Sequence, residues 1–258
     1  MPHNNIRLDT NNEFKWDSIE SLYNDADELQ SRSTIFDNGV LRVEIPITND
    51  LGTGLTSTMT LTDNSEANDF AWDVIQTTFA ADGSTVAKST TYDNGITRVA
   101  DFTDGALSTI TRLDNPGASD GGAKAWDSIV STFDASGNIS SDSVVNDNGT
   151  STVTTYNAEG FRTGVVKTDN QTVDGSDLNT WDTVALTYDG AGNVTERTTT
   201  YDNGVVRVDT FTDGVRSSVT MTDNPGAADD GVKSWASQQT TYDAAGNITQ
   251  KSVVADDG

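Results

Sequence analysis

Apolar and polar residues alternate along this chain in short runs of seven or eight positions. In one run Val184, Leu186 and Tyr188 fall on one side, and further on Val206, Val208 and Thr210 do the same. A period of two marks a β-strand with one covered face. The runs are rich in Thr, Val, Ile and aromatics, which suit a pleated, half-buried surface. One set reads Trp181–Tyr188, Val194–Tyr201, Val205–Phe211 and Val215–Met221. Between them lie Asp189-Gly-Ala-Gly-Asn193, Asp202-Asn-Gly204 and Thr212-Asp-Gly214, and Thr222-Asp-Asn-Pro-Gly226 closes the set. Asn and Gly tolerate positive φ, so these are tight-turn signals. The pattern predicts four antiparallel strands joined by hairpins. The acidic stretch from Asp17 to Gln30 is the best helical candidate, but it aligns with strands elsewhere in the chain and is expected to be strand.

The set recurs. Tryptophan stands at 16, 72, 126, 181 and 235, at intervals of 56, 54, 55 and 54. The glycine of Asp-Asn-Gly or Asp-Asp-Gly stands at 39, 95, 149, 204 and 258, with the same intervals. Two markers keeping one rhythm define a tandem array with a unit of about 54 residues. The expected organisation is a leader and the end of a partial repeat over 1–15, repeats over 16–71, 72–125, 126–180 and 181–234, and a partial repeat over 235–258. All belong to one continuous repeat domain. Residues written five times build and space a structure more readily than they form one catalytic centre.

Two all-β architectures suit such units. One is an open, elongated antiparallel β array, coiled like a solenoid. The other is a five-bladed β-propeller. The chain starts in what aligns as a fourth strand, Ile6-Arg-Leu-Asp9 beside Thr111-Arg-Leu-Asp114, and stops at Gly258 after a second strand. A ring would then lack much of a blade. Blade interiors also want continuous apolar strands, and Thr198-Thr-Thr200 is a poor one. The open array is the expectation.

Only 34% of residues are hydrophobic, too few for one large core, so a thin apolar seam between neighbouring repeats is expected. No apolar stretch is long enough to span a membrane, and no signal peptide is visible in the first thirty residues. Fifteen basic against forty acidic residues give a net charge of −25, which disfavours nucleic acid and acidic membranes and attracts divalent cations. The absence of cysteine excludes disulfides and thiol chemistry.

The stretch Tyr242-Asp-Ala-Ala-Gly-Asn-Ile-Thr249, followed by Asp256-Asp-Gly258, resembles the YD (RHS-type) repeats of bacterial secreted and surface proteins. The chain is also similar to the Asp/Gly/Thr-rich tandem arrays of large calcium-dependent bacterial exoproteins and adhesins. The resemblance implies an extracellular or cell-surface structural role. It supplies no ligands.

Candidate chemistry lies in the loops before the tryptophans. Asp114 is followed by Asp120, Asp169 by Asp174 and Asp177, and Asp223 by Asp229 and Asp230; Asp63 with Glu66 and Asp69 has the same form. Calcium takes six to eight oxygens from carboxylates and carbonyls of flexible loops, so these aspartates are the candidate metal ligands. The alternative is a solvated acidic turn. The tryptophans suit glycan stacking or, more simply, packing at repeat junctions. The aromatics before the turns (Phe36, Phe79, Tyr92, Phe133, Tyr188, Tyr201, Tyr242) are expected to pack across strands, with Asn146 the exception. Arg42, Arg98 and Arg207 recur in the third strand and are expected to pair with acids on neighbouring strands. His3, the single histidine, lies outside the repeats, and no phosphate loop is present, so no enzymatic activity is expected. The expected function is a scaffold, spacer or self-assembling fibre unit, whose partner is a further copy through open strand edges. The alternative is a calcium-dependent adhesin or carbohydrate-binding module that meets glycans or a cell surface.

Overall fold

The computed structural model of the chain describes residues 1–48, 55–65, 70–115, 124–170, 179–224 and 233–256. The chain divides into two units, Met1–Lys124 and Ala125–Gly258. Both are all-β, with antiparallel pairing throughout and no helix among the described residues. The first unit holds β1 (His3–Leu8), β2 (Trp16–Tyr23), β3 (Leu29–Phe36), β4 (Val40–Thr48), β5 (Leu55–Asp63), β6 (Trp72–Phe79), β7 (Thr85–Tyr92), β8 (Ile96–Thr103) and β9 (Ala106–Asp114). The second holds β10 (Trp126–Phe133), β11 (Ile139–Asn146), β12 (Thr150–Tyr156), β13 (Arg162–Asp169), β14 (Trp181–Tyr188), β15 (Val194–Tyr201), β16 (Val206–Thr212), β17 (Val215–Thr222), β18 (Trp235–Tyr242) and β19 (Ile248–Ala255). The acidic stretch 17–30 is strand, turn and strand, as its alignment predicts.

Within each unit the strands pair in chain order. The ladder does not stop where one repeat ends. Ser57 to Thr62 of β5 pair with Phe79 to Val74 of β6, and Ser218 to Thr222 of β17 pair with Thr241 to Ser237 of β18. A propeller would break its sheet at those junctions to make separate blades. Here the fourth strand of one repeat is zipped to the first strand of the next, and each unit is an open meander.

The hairpins owe their geometry to turn residues. In the first turn of a repeat, Asp134 Oδ1 accepts the backbone N–H groups of Ser136 (2.9 Å) and Asn138 (2.9 Å). Asp189 and Asp243 repeat this with Ala191 and Asn193, and with Ala245 and Asn247. These donors hold the carboxyls below the usual carboxylate range: chiefly the Asn138 N–H for Asp134, and the Asn193 and Asn247 side chains for Asp189 and Asp243. Asp27, at φ +62°, takes the left-handed place that glycine fills in the other copies. The Asp-Asn-Gly turns close by an N–H from glycine to the carbonyl three residues earlier, as from Gly95 to Tyr92 (3.0 Å) and from Gly149 to Asn146 (3.0 Å). Asp104-Gly105 and Asp213-Gly214 place both central residues at positive φ, the two-residue hairpin favoured by strand twist.

Apart from β1 and β19, which are exposed along their whole length, the strands have a shielded and an open face. The open one carries Leu22, Ile35, Leu113, Val153 and Val166, all substantially exposed. The shielded one carries few large apolar residues; the buried set is Val40, Ala100, Val165, Val184 and Val205, with Ser21, Thr34, Thr77, Thr90, Ser131 and Thr199. The seam is therefore thin, as composition requires, but it is lined by hydroxyls as much as by hydrocarbon. Register explains this. Thr34 stands between Ile19 and Arg42, and Thr199 between Val184 and Arg207. Long neighbours, arginine stems included, lean over the small ones. The threonine run 198–200 fits the same logic: Thr199 is shielded, and its neighbours point to the open face.

Gly39 has both a special backbone and a close neighbour. Its φ is +80°, and a Cβ there would lie 2.8 Å from the Ser65 backbone; Gly83 has φ +83° and open space around it. Both alanine variants bear the left-handed cost of about 1–2 kcal/mol. Gly39→Ala adds a backbone collision, so its urea midpoint is expected to fall further than that of Gly83→Ala. Equal losses would refute the contact between Gly39 and Ser65.

Candidate functional site

The loop-base aspartates hold the loops they close. Each repeat's fourth strand ends in one: Asp63, Asp114 and, in the second unit, Asp169, with Asp223 just past β17. Asp114 Oδ2 accepts the Lys124 N–H at 3.0 Å, and Asp169 Oδ2 accepts Nδ2 of Asn179 at 2.8 Å. Asp9 does the same ahead of the first repeat, accepting the Phe14 N–H at 2.7 Å. In all three, the donor lies two residues before a tryptophan. The carboxylate thus ties the loop's return to its start. Asp63 accepts from the Ser65 N–H at 2.8 Å; the Ser65 hydroxyl is the chief cause holding its carboxyl low, and the Phe70 N–H, again two residues before a tryptophan, adds to it. Of the candidate metal ligands, Asp120, Asp174, Asp177, Asp229 and Asp230 lie outside the described residues, as do Glu66 and Asp69. Among the described residues no three acidic or histidine side chains gather as a metal site. Asp63 Oδ2 and Asp223 Oδ1 are shielded from solvent and accept no hydrogen bond.

The five tryptophans occupy equivalent places. Each opens a strand, is half-buried, and is followed at once by a bulge. Trp16, Trp72 and Trp181 stand opposite Phe36, Tyr92 and Tyr201. Trp126 stands opposite Asn146, whose amide donates to the Thr150 hydroxyl at 3.0 Å, and Trp235 opposite Ala255. Phe14 stacks on Trp16 and Phe70 tilts against Trp72, both with centroids 5.2 Å apart. These neighbours occupy aromatic surface that a stacked sugar would use. No family model and no curated protein matches the chain.

The arginines depart from expectation. Their acidic partners are not directly across the ladder. Arg42 lies 3.6 Å from Glu44, and Arg207 Nη2 lies 2.8 Å from Asp209 Oδ1, in each case two residues along the same strand. Side chains two apart share a strand face, which makes the pairing local. Arg98 has Arg112 opposite it. The pair at Asp209 is also not an exposed one. Its carboxylate is only 3% exposed and receives a second guanidinium, Nε of Arg216 at 2.9 Å. Its hydrogen bond raises the Arg207 pKa above the ordinary arginine value. Removing a partner from such a buried charge costs about 3–5 kcal/mol, against less than about 1 for a surface pair. Tyr156 is also tuned: burial, then Asp142 beside its hydroxyl (3.3 Å), pushes the phenol up.

A cationic group on one face of the first unit was not singled out by the motifs. Arg7, Arg32 and Arg42 line a cavity of about 200 Å³. The available signal was the basic residue recurring in second strands as Arg32, Lys88, Arg197 and Lys251. A larger hollow of about 680 Å³ lies beside His3, which stacks on Tyr23 at 4.9 Å and places Nδ1 3.5 Å from Asp27. It borders the exposed strand β1.

If the tryptophans pack, their worth follows their partner. Trp72→Ala, whose ring meets Phe70 at 5.2 Å, is expected to cost more stability than Trp126→Ala, facing Asn146, by about 0.5–1.5 kcal/mol, the worth of an aromatic pair. Chemical denaturation of both variants checks it; tryptophans serving only as ligand platforms would leave both unfolding curves in place.

Proposed function

We propose that this chain is a structural β-repeat segment of a bacterial secreted or surface protein, acting as a scaffold or spacer. One observation carries the reading: the tryptophans and the hairpin glycines keep the same place in each described copy. Tryptophan opens a bulged strand, glycine reverses a hairpin, and aspartate clamps the loop at Asp9, Asp114 and Asp169. A ladder continuous across repeat junctions lets such a segment lengthen by whole repeats. β1 pairs only with β2, and β19 only with β18, among the described residues. Unpaired edges of this kind are templates for another strand, which favours self-pairing into a fibre as one form of the role.

Duplicating residues 126–180 in register tests the spacer. Four added strands at about 4.8 Å spacing extend a sheet by roughly 19 Å along its contour. Small-angle scattering is expected to show a larger maximum dimension with the melting transition kept. An unchanged dimension, or loss of folding, would sink the spacer. Particle mass that rises with concentration in the same measurement marks self-pairing.

The second reading is a calcium-dependent adhesin or carbohydrate-binding module. The shielded, unpartnered oxygens of Asp63 and Asp223 favour a cation at the loop bases. A cation held only by the folded chain at a hundred times its Kd adds about 2.7 kcal/mol. Calcium is then expected to raise Tm and chelator to lower it; identical melting curves in both dismiss this reading.

A further inference from the structure

Two adjacent cross-strand rows meet on one face of the first unit, where Ser21 and Thr34 are buried and Asn5, Arg7 and Arg32 are exposed. One runs Asn5, Ser21, Arg32, and the next runs Arg7, Ile19, Thr34, Arg42. They line the cavity of about 200 Å³, which no carboxylate borders. Glu44 follows Arg32 in its row, but its oxygen stays 3.6 Å from Arg42, beyond a hydrogen bond. Arg7 and Arg32 form no ion pair among the described residues. Thr34 is 2% exposed, and its hydroxyl has no partner; Arg42 Nε is likewise shielded and unpartnered. Like charges on neighbouring strands repel, and buried donors without acceptors are costly. The repulsion among three arginines with no bordering carboxylate points to an acceptor of negative charge.

The fourth repeat shows the arginine charge met internally, although Thr199 Oγ1 and Arg207 Nε stay shielded and unpartnered there. Arg207 occupies the place of Arg42, and Asp209 that of Glu44. There the carboxylate is buried and takes two guanidinium groups at 2.8 and 2.9 Å. In the first repeat no side chain does this for Arg7 and Arg32. We propose that the cavity binds a small doubly charged oxyanion, a sulfate or phosphate group. Arg7, Arg32 and Arg42 hold it, and the Ser21 and Thr34 hydroxyls donate to its remaining oxygens. Guanidinium forks match such oxygens in pairs. The chain's charge of −25 opposes any anion at long range. Screening over about 8 Å at physiological salt leaves the adjacent arginines in control.

Calorimetric titration of the full chain with inorganic sulfate, in chloride buffer at constant ionic strength, tests the site. A saturable heat is expected. Arg7→Gln and Arg32→Gln, each confirmed as folded by circular dichroism, are expected to weaken binding by about tenfold or more, the worth of a charged hydrogen bond. Arg98→Gln, at the matching place in the second repeat, is expected to leave it unchanged. A parallel titration with a hexose monosulfate separates a free ion from an ester as the natural source, since an ester must reach the cavity past β1. Absence of saturable heat with both probes, or an affinity unchanged from that of the parent chain in both arginine variants, overturns the proposal. That failure would leave the spacer reading intact, because particle dimension does not depend on the cavity.

Discussion

The register of each hairpin is the constraint on which this protein rests. A strand slipped by one residue turns every side chain to the wrong face. A thick core would punish such a slip heavily; this seam has little large hydrocarbon and would punish it weakly. Turns therefore carry the specification. Asp134, Asp189 and Asp243 each gather two backbone N–H groups, and Asp104-Gly105 and Asp213-Gly214 set two consecutive positive φ angles. The bulge after every tryptophan resets the pleat at the same place in each repeat, so an error in one copy is not handed to the next.

Charge is sorted by the same geometry. Acids crowd the turns and loop bases, where a carboxylate finds backbone donors without leaving water. Bases sit inside strands, where their stems cover threonines and their heads reach outward. This sorting explains how a chain of such negative charge holds Arg7, Arg32 and Arg42 close together on one face. It also explains why Asp209 is exceptional. Its carboxylate is buried inside a strand, and two guanidinium groups accompany it.

Threonine does much of what leucine does in thicker folds. Thr34, Thr90 and Thr199 are among the most deeply buried side chains, although threonine is usually exposed. A β-branched residue suits the pleat, and its small volume fits beneath arginine, isoleucine or valine in the neighbouring strands. The hydroxyls of Thr34 and Thr199 lack partners. That is the cost of filling a narrow seam with a polar side chain of the right shape.

Much of this architecture was legible in the residues alone. Period-two alternation marked the strands, the Asp-Asn-Gly and Asp-Gly pairs marked the hairpins, and the tryptophan interval marked the repeat. All are local properties, set within a few residues by backbone sterics and side-chain reach. The aspartates before the loops were legible as special, but not their task, because the donor to Asp114 is ten residues away at Lys124. Whether the sheet broke between repeats was equally hidden, since pairing of β5 with β6 is a contact between segments whose sequences suit either outcome. The arginines show the limit best. Sequence placed Arg42, Arg98 and Arg207 in equivalent strands, yet one nears a glutamate, one faces Arg112, and one binds a buried carboxylate. Composition and spacing determined the strands, the turns and the count of repeats, because those depend on neighbours along the chain. Only the tertiary structure decided which charges meet, because register across strands brings Asn5, Ser21 and Arg32 into one row and sets Arg7, Thr34 and Arg42 beside it.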